Sequence, residues 1–225
     1  MRTILFISII GISVSSYLII STKYSYKKAE QKYDEIVSVY EKSEFDHLQQ
    51  INQDYLGWIK VEGTNINYPV VQGVDNDFYL THNFHKEPDK VGSIYMDYRN
   101  SNKELDKNVI IYGHNMKDQS MFATLRHFLD EEFFNENKTI TLEFSDNEYE
   151  WEVFSAYVTR ETDWMEVDFN EPSNFLDFAG NMSNKSYNSS SSDINENDQI
   201  ITLATCTSHV DDERVVVHGK LIKEN

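Results

Sequence analysis

The chain has 225 residues, which is enough for one globular domain and an attachment segment. Its formal net charge of −18 at pH 7 argues against a nucleic-acid-binding protein, because no basic surface is available to neutralise phosphates. The sequence contains a single cysteine, which excludes an intramolecular disulfide.

The first element is an apolar segment, and residues 3–22 carry no charged side chain. A helix rises 1.5 Å per residue, so a segment of this length spans a hydrocarbon core of about 30 Å. A cleaved signal peptide is the alternative, but the apolar stretch is long for one and no small-residue cleavage motif follows it. We therefore predict an uncleaved transmembrane anchor at residues 1–22.

The charges that flank this segment bear on its orientation. Arg2 precedes it, whereas Lys23, Lys27, Lys28 and Lys32 follow it. A positive-inside count would place the large domain in the cytoplasm. Long domains can be translocated regardless of flanking charge, so the count does not decide the topology.

The next segment, residues 23–53, is polar with apolar residues at helical spacing, such as Tyr33, Ile36, Val37 and Tyr40. This pattern predicts an amphipathic helical region that lifts the following domain off the membrane.

Residues 54–225 form one predicted domain of short apolar or β-branched runs separated by Gly, Asn and Asp. Eight such runs favour a closed barrel or a sandwich. The predicted strands are residues 58–61, 66–71, 92–96, 108–112, 139–144, 149–158, 199–205 and 215–222. Two helices, 119–129 and 173–182, are predicted between strands, and the second precedes the strand that carries the cysteine.

Cys206 ends the apolar run 200–206 and is followed by a polar stretch. Strand ends that open into polar loops are common places for functional side chains. A thiol needs a basic or cationic neighbour to become a good nucleophile. The alternative is that Cys206 is a small buried hydrophobic residue without chemistry.

His114 and Arg214 are the candidate neighbours of this thiol. His114 follows the apolar run 109–112, and Arg214 precedes an apolar run beside the predicted cysteine strand. An arginine there could stabilise an oxyanion during acyl transfer. The alternatives are a structural histidine and a surface ion pair between Arg214 and the acids at 211–213. The rival histidines are His47, His82, His85, His127, His209 and His218, and we expect His218 to be sheet-facing or exposed.

A metal site is the other interpretation of the same side chains. Cys206, His209 and His114 could in principle ligate zinc, but the sequence has neither a paired-cysteine motif nor a His-Glu-x-x-His motif. No glycine-rich phosphate loop is present either. We therefore predict no metal and no cofactor.

Four features together resemble a family. They are the anchor, residues 112–115 (Tyr-Gly-His-Asn), residues 202–206 (Thr-Leu-Ala-Thr-Cys) and residues 214–217 (Arg-Val-Val-Val). The combination resembles the sortases, which are membrane-anchored cysteine transpeptidases of Gram-positive bacteria. Residues 54–59, residues 67–72 and the helix before the cysteine strand are similar to class B. The resemblance implies a mostly β fold, an eight-stranded barrel with N-terminal helices and a helical insertion before the cysteine strand.

The resemblance also implies a reaction and partners. Cys206 would attack a C-terminal sorting signal of the LPxTG or NPxTN kind after its threonine and form a thioacyl enzyme. His114 would exchange protons with the leaving and incoming amines, and Arg214 would stabilise the tetrahedral intermediates. The partners would be surface proteins and a peptidoglycan-precursor amine, with the catalytic domain on the extracellular face of the cell membrane.

Two alternatives remain open from the residues, and the resemblance leaves a third. The chain could be a membrane-anchored barrel that serves as a binding or scaffold protein without chemistry. It could be a cysteine hydrolase, which would release the acyl group to water. It could also polymerise pilins rather than attach proteins to the wall.

Overall fold

The computed structural model describes residues 2–41, 45–144, 147–190, 192–206 and 213–224, with the backbone alone at residues 2–6, 45 and 206. The chain divides into two compact units, Met1–Ser43 and Glu44–Asn225. The first unit contains one long helix, and the second contains a barrel with its associated helices.

The first unit is helix α1, Arg2–Tyr40, which includes the predicted anchor and the first part of the predicted helical region. Its apolar side chains are exposed from residue 7 to residue 20, among them Ile7, Leu18 and Ile20. Among the described residues, α1 is the helix that is long and apolar enough to cross a membrane. This agrees with the predicted anchor, although a signal sequence has the same length and composition.

The second unit begins with helix α2, Phe45–Ile51, and is built around eight strands. They close into a barrel in the order β1-β2-β3-β4-β7-β8-β6-β5, with β5 pairing back to β1. This confirms the predicted eight-stranded barrel. The strands are β1 Tyr55–Val61, β2 Asn67–Val71, β3 Ile94–Met96, β4 Asn108–His114, β5 Thr139–Phe144, β6 Asn147–Thr159, β7 Ile200–Cys206 and β8 Arg214–Glu224.

The burial of the strands follows their position in the barrel. In β5, buried residues alternate with half-buried ones, as expected for a strand with one face towards the core. In β4, by contrast, all seven residues are buried, and residues 200–205 of β7 are buried as well. These two strands run parallel to each other, and burial on both faces is typical of parallel strands.

Helices α3, Glu131–Glu136, and α4, Pro172–Lys185, lie between strands. Helix α4 was predicted at 173–182, and it begins at a proline, which favours the first helical turn. Its buried residues are Phe175, Phe178, Ala179 and Met182. The six-residue α3 was not predicted, because it has a single buried apolar side chain and no sustained period.

The predicted helix at 119–129 is wrong in its first part. The segment forms a 3-10 helix only over Ala123–Leu129. Gln119 and Met121 have φ angles of 67° and 56°, and Met121 forms an isolated bridge with Asn115. These residues form a turn after β4, because a left-handed backbone cannot belong to a right-handed helix.

A chain of buried polar side chains joins the strands beneath α4; it consists of Asn108, Thr202, His218 and Tyr157. The Thr202 hydroxyl lies 2.6 Å from Asn108 Oδ1 and 2.9 Å from His218 Nδ1. His218 Nε2 lies 3.0 Å from the Tyr157 hydroxyl. Burial, with a smaller contribution from Lys185, lowers the pKa of His218 to about 3, so the ring is neutral. His218 is therefore buried rather than exposed, and it belongs to this buried polar chain.

Candidate active site

The ends of β4 and β7 bring two of the candidate residues together. The parallel register runs without a break from Asn108 paired with Ile200 to His114 paired with Cys206. Neighbouring strands lie about 4.8 Å apart, and residues in paired positions point to the same face of the sheet. The backbones of His114 and Cys206 therefore lie side by side at the same edge of the barrel.

Arg214 is the first residue of β8, on the other side of β7. The antiparallel register ends with Ala204 paired with Val216, and its continuation by two residues brings Arg214 opposite Cys206. Arg214 is half-buried, and its Nη1 donates to the Thr205 carbonyl oxygen at 2.9 Å. The Thr205 hydroxyl accepts from Val215 N at 3.0 Å. Thr205 thus fixes the beginning of β8 through two oxygen atoms.

Glu213, the described acid of the run 211–213, forms an ion pair with Arg160. Glu213 accepts from Arg160 at 2.9 Å, and both of these side chains are exposed. Asp211 and Asp212 lie outside the described residues. The guanidinium of Arg214 is directed along the end of β7, where the cysteine backbone lies.

His114 is nearly buried, with 7% of its surface exposed. Its Nε2 lies 2.6 Å from the carbonyl oxygen of Leu80, and its own carbonyl accepts from Phe122 N at 3.0 Å. A carbonyl can only accept, so this contact assigns the proton of the neutral ring to Nε2. Nδ1 is then the nitrogen that can take up and release a proton.

Gly92 lies directly against this imidazole. Its φ is +63°, and a Cβ at this position would lie 2.9 Å from the Leu80 oxygen and 3.0 Å from His114 Cδ2. The histidine ring and the Leu80 carbonyl therefore occupy the space that a side chain would need. Glycine also adopts this backbone conformation without steric cost.

The other described histidines lie in different environments. His82 stacks on Phe78 with a centroid distance of 4.1 Å, and His127 packs edge-on against Phe133. His209 lies outside the described residues, as do Thr207 and Ser208. Among the described residues, no group of three or more His, Cys, Asp or Glu side chains could hold a metal ion.

Three positions in this site were missed by the sequence reasoning. Leu80 acts through its carbonyl oxygen, which leaves no trace in residue type. Gly92 is the first residue of the predicted strand 92–96, and only its left-handed φ distinguishes it from an ordinary turn glycine. Thr205 could have been found, since it directly precedes the only cysteine of the sequence.

This arrangement has the parts required for acyl transfer. The cysteine position supplies a nucleophile, the neighbouring imidazole can act as general acid and base, and the guanidinium can stabilise a developing oxyanion. All three belong to adjacent strands, so their spacing is fixed by the sheet rather than by loops.

The sequence is similar to proteins of one family. A family model described as the sortase domain matches residues 59–222. Sortase B of Listeria monocytogenes is 44% identical over 185 residues, which cover 80% of this chain and 75% of that protein.

Solved structures of related proteins have the same fold. Sortase B from Bacillus anthracis superimposes with a TM-score of 0.84 at 39% identity, covering 89% of this chain and 99% of that one. A Staphylococcus aureus sortase B–substrate complex gives a TM-score of 0.82 at 34% identity, covering 88% and 98% of the two chains.

Proposed function

Because the chain belongs to the sortase family, as a class B cysteine transpeptidase, we propose that Cys206, His114 and Arg214 are its catalytic residues. The observation that carries this proposal is the register of β4 and β7, which pairs His114 with Cys206. The register of β8 supports the inclusion of Arg214.

In the first half of the proposed reaction, the Cys206 thiol gives its proton to His114 Nδ1, and the resulting thiolate attacks the carbonyl carbon of the threonine in a sorting signal. The C–N bond of that peptide breaks, and His114 gives its proton to the leaving amine. The product is a thioester between the threonine carbonyl and Cys206. The guanidinium of Arg214 stabilises the oxyanion of the tetrahedral intermediate.

In the second half, an amine attacks the thioester carbon and a new amide bond forms. His114 takes the proton of this amine, and the cysteine leaves as a thiolate. The enzyme returns to its starting state with no net redox change. The proposed acceptor is the amine of a peptidoglycan precursor, so that the surface protein becomes attached to the cell wall.

The proposed substrate is a C-terminal sorting signal of the LPxTG or NPxTN kind. The S. aureus relative is described as a sortase B–substrate complex, which supports a peptide substrate for this chain too. The Leu80 carbonyl and the nearly buried His114 ring favour a protonated Nε2, so Nδ1 would face the scissile amide.

The proposed location is the extracellular face of the cell membrane, with α1 as a single-pass anchor. The length and apolar composition of α1 support the anchor. The reaction supports the extracellular face, because surface proteins and their cell-wall acceptors meet there.

The test is product analysis with the full-length protein in detergent. Peptides containing LPxTG-like and NPxTN-like motifs are incubated with and without a small amine acceptor. We expect a new amide at the threonine that depends on the acceptor and is abolished in Cys206→Ala. Release of the free acid alone, unaffected by the amine, would indicate a hydrolase, and the absence of any cleavage would favour a scaffold protein.

A further inference from the structure

Asp97 directly follows β3 and has a fully buried carboxylate. In the barrel, β3 and β7 are the two neighbours of β4, so Asp97 and Cys206 belong to strands on opposite sides of the His114 strand. It accepts from the Arg99 backbone N at 3.0 Å, Arg99 Nε at 2.9 Å and Arg99 Nη2 at 2.8 Å. It also accepts from the Tyr112 hydroxyl at 2.7 Å and from Asn76 Nδ2 at 3.0 Å. We call Asp97, Arg99, Tyr112 and Asn76 the Asp97 cluster.

The carboxylate of this cluster is charged. Burial alone would raise the pKa of Asp97, but hydrogen bonds from Arg99 and Tyr112 outweigh burial and hold the pKa below its ordinary value. An ionised, fully buried carboxylate with five donors is a fixed point, because loss of one donor is costly in a dry environment.

One hydrogen bond of the Asp97 cluster involves Tyr112 of β4, the strand that carries His114. Tyr112 lies two residues before His114 in β4, so both side chains project from the same face of the strand. The Tyr112 hydroxyl donates to Asp97 Oδ2, which fixes this face of β4 relative to the end of β3.

A second hydrogen bond of the Asp97 cluster involves Asn76, which lies in the segment 72–80 that ends at Leu80. The amide of Asn76 is held at both of its atoms, since Nδ2 donates to Asp97 and Oδ1 accepts from Tyr98 N at 3.1 Å. Nearby, Gln72 Nε2 donates to the Asp97 carbonyl oxygen at 2.8 Å. The segment 72–80 is thus attached to residues 97 and 98 before it reaches Leu80.

We propose that Asp97 is a positioning residue for His114. Its carboxylate holds Tyr112 and Asn76 in one arrangement, and this keeps the Leu80 carbonyl on Nε2 of the imidazole. The effect on His114 follows from the contacts alone, whereas the effect on turnover rests on the proposed function.

The informative variant is Asn76→Ala. It removes the side-chain hydrogen bonds of Asn76 to Asp97 and Tyr98 and leaves the contacts of Asp97 with Arg99 and Tyr112 in place. The matched control is Asn137→Ala, which removes one side-chain hydrogen bond to the Phe133 carbonyl, at the end of α3. A second variant, Asp97→Asn, keeps the shape of the side chain but removes its charge. Asn76→Ala keeps the test valid if this second variant does not fold.

The readout is the pair of ¹⁵N chemical shifts of the His114 ring in the full-length protein, assigned by comparison with His114→Gln. At about pH 9, above the ordinary titration range of histidine, these shifts identify the nitrogen that carries the proton. We expect a proton on Nε2 in the wild type and in Asn137→Ala, and a mixture of both tautomers in Asn76→Ala. Transpeptidation by Asn76→Ala should fall at least tenfold relative to Asn137→Ala.

The outcomes separate the two proposals. A wild-type tautomer in Asn76→Ala would overturn the positioning role, whether or not the variant is less stable. A changed tautomer together with lower turnover supports it. A changed tautomer in a protein whose wild type forms no amide also supports the positioning role, and it contradicts the proposed function instead.

Discussion

Single residues in this site are held by main-chain oxygens. The His114 ring is oriented by the Leu80 carbonyl, and the Arg214 guanidinium is oriented by the Thr205 carbonyl. A main-chain acceptor is rigid, so both donor groups are placed without the entropy cost of ordering a second long side chain. Such an arrangement favours reproducible geometry over adaptability.

Arg214 offers a direct test at this scale. Arg214→Ala should lower kcat/KM about a hundredfold to a thousandfold, because an oxyanion donor is lost. Arg214→Lys should restore only part of this, since a point charge cannot hold Thr205 and the oxyanion with one planar group. Steady-state kinetics with a cleavable peptide measures both.

The control for Arg214 is Arg160→Ala. Arg160 is exposed and pairs with Glu213, the residue next to Arg214, so its removal should leave kcat/KM within about twofold. Near-normal kcat/KM in Arg214→Ala would contradict the role assigned to the guanidinium.

Gly92 gives a second prediction. Gly92→Ala introduces a methyl group 2.8 Å from the Tyr79 oxygen, 2.9 Å from the Leu80 oxygen and 3.0 Å from His114 Cδ2, so the ring or these carbonyls must move. We expect turnover to fall more than tenfold and stability to fall by about 1 kcal/mol. Peptide cleavage assays and urea unfolding measure the two effects.

Its matched control is Gly180→Ala in α4, where an added Cβ meets nothing within 4 Å. This variant should keep full activity and gain about 0.5–1 kcal/mol of stability. If Gly92→Ala kept wild-type turnover, the close packing of Gly92 against His114 would not be needed for catalysis.

At the scale of elements, the strands β4, β7 and β8 act as one unit. Their registers bring His114, Cys206 and Arg214 to one edge, and the buried polar chain ties the same strands together beneath α4. A polar chain of this kind is satisfied in only one register, because a slip would leave buried hydroxyl and amide groups unpaired. It therefore specifies the alignment that the site needs.

The buried polar chain makes the stability of the protein depend on pH. In the unfolded protein His218 takes up a proton near its reference pKa of about 6.5, whereas in the folded protein it stays neutral down to about pH 3. The unfolded state then binds more protons in this window. The free energy of unfolding should therefore fall as the pH is lowered from about 6.5, by at most about 1.4 kcal/mol per pH unit.

Urea titrations between about pH 7.5 and 4.5 test this prediction. His218→Gln should be less stable than the wild type at pH 7.5 but should lose less stability on acidification. His47→Gln, at an exposed position on α2, should keep the wild-type slope. Equal slopes in His218→Gln and the wild type would show that His218 does not carry the acid sensitivity.

Much of the element pattern could be predicted, and particular residues explain why the rest could not. Each strand is bounded by Gly, Asn or Asp, so all eight were found to within a few residues. The turn at 119–122 was taken for helix because Met121, Phe122 and Leu125 have helical spacing, although their burial comes from tertiary contacts. His218 was misjudged for the same reason, since its partners Thr202 and Tyr157 are distant in sequence.

The candidates Cys206, His114 and Arg214 were chosen because their side-chain chemistry stands next to a strand end, and their catalytic roles are a proposal. The contributions of Leu80 and Asp97 could not be predicted from the sequence. Leu80 contacts His114 through a backbone oxygen, and Asp97 is proposed to act on His114 through Tyr112 and Asn76. Asp97 is one acid among 38 Asp and Glu residues, and nothing in its local sequence distinguishes it. Only its burial and its five donors do so.

At the scale of the whole molecule, the charge of −18 belongs to a domain whose proposed substrates are a peptide and an amine. The acidic excess favours solubility and attracts cationic amines over anionic competitors. The lysines after the proposed anchor oppose the proposed topology in a simple positive-inside count. The topology therefore needs its own experiment.

An engineered cysteine at Ser25, in a Cys206→Ala background, gives one thiol just beyond the anchor. We expect a membrane-impermeant thiol reagent to label it in intact cells. The Cys206→Ala protein without the new thiol is the control for background labelling. Labelling only after lysis would place the domain in the cytoplasm and would contradict the proposed location.

The most direct test of the account is intact-mass spectrometry of the full-length protein after mixing with the sorting-signal peptides. The chain has a single thiol, so an acyl adduct can be assigned without ambiguity. We expect a mass increase equal to the peptide fragment that ends at threonine minus one water, removable by hydroxylamine, and absent in Cys206→Ala. A thiol that resists both acylation and alkylation in the folded protein would contradict a catalytic Cys206.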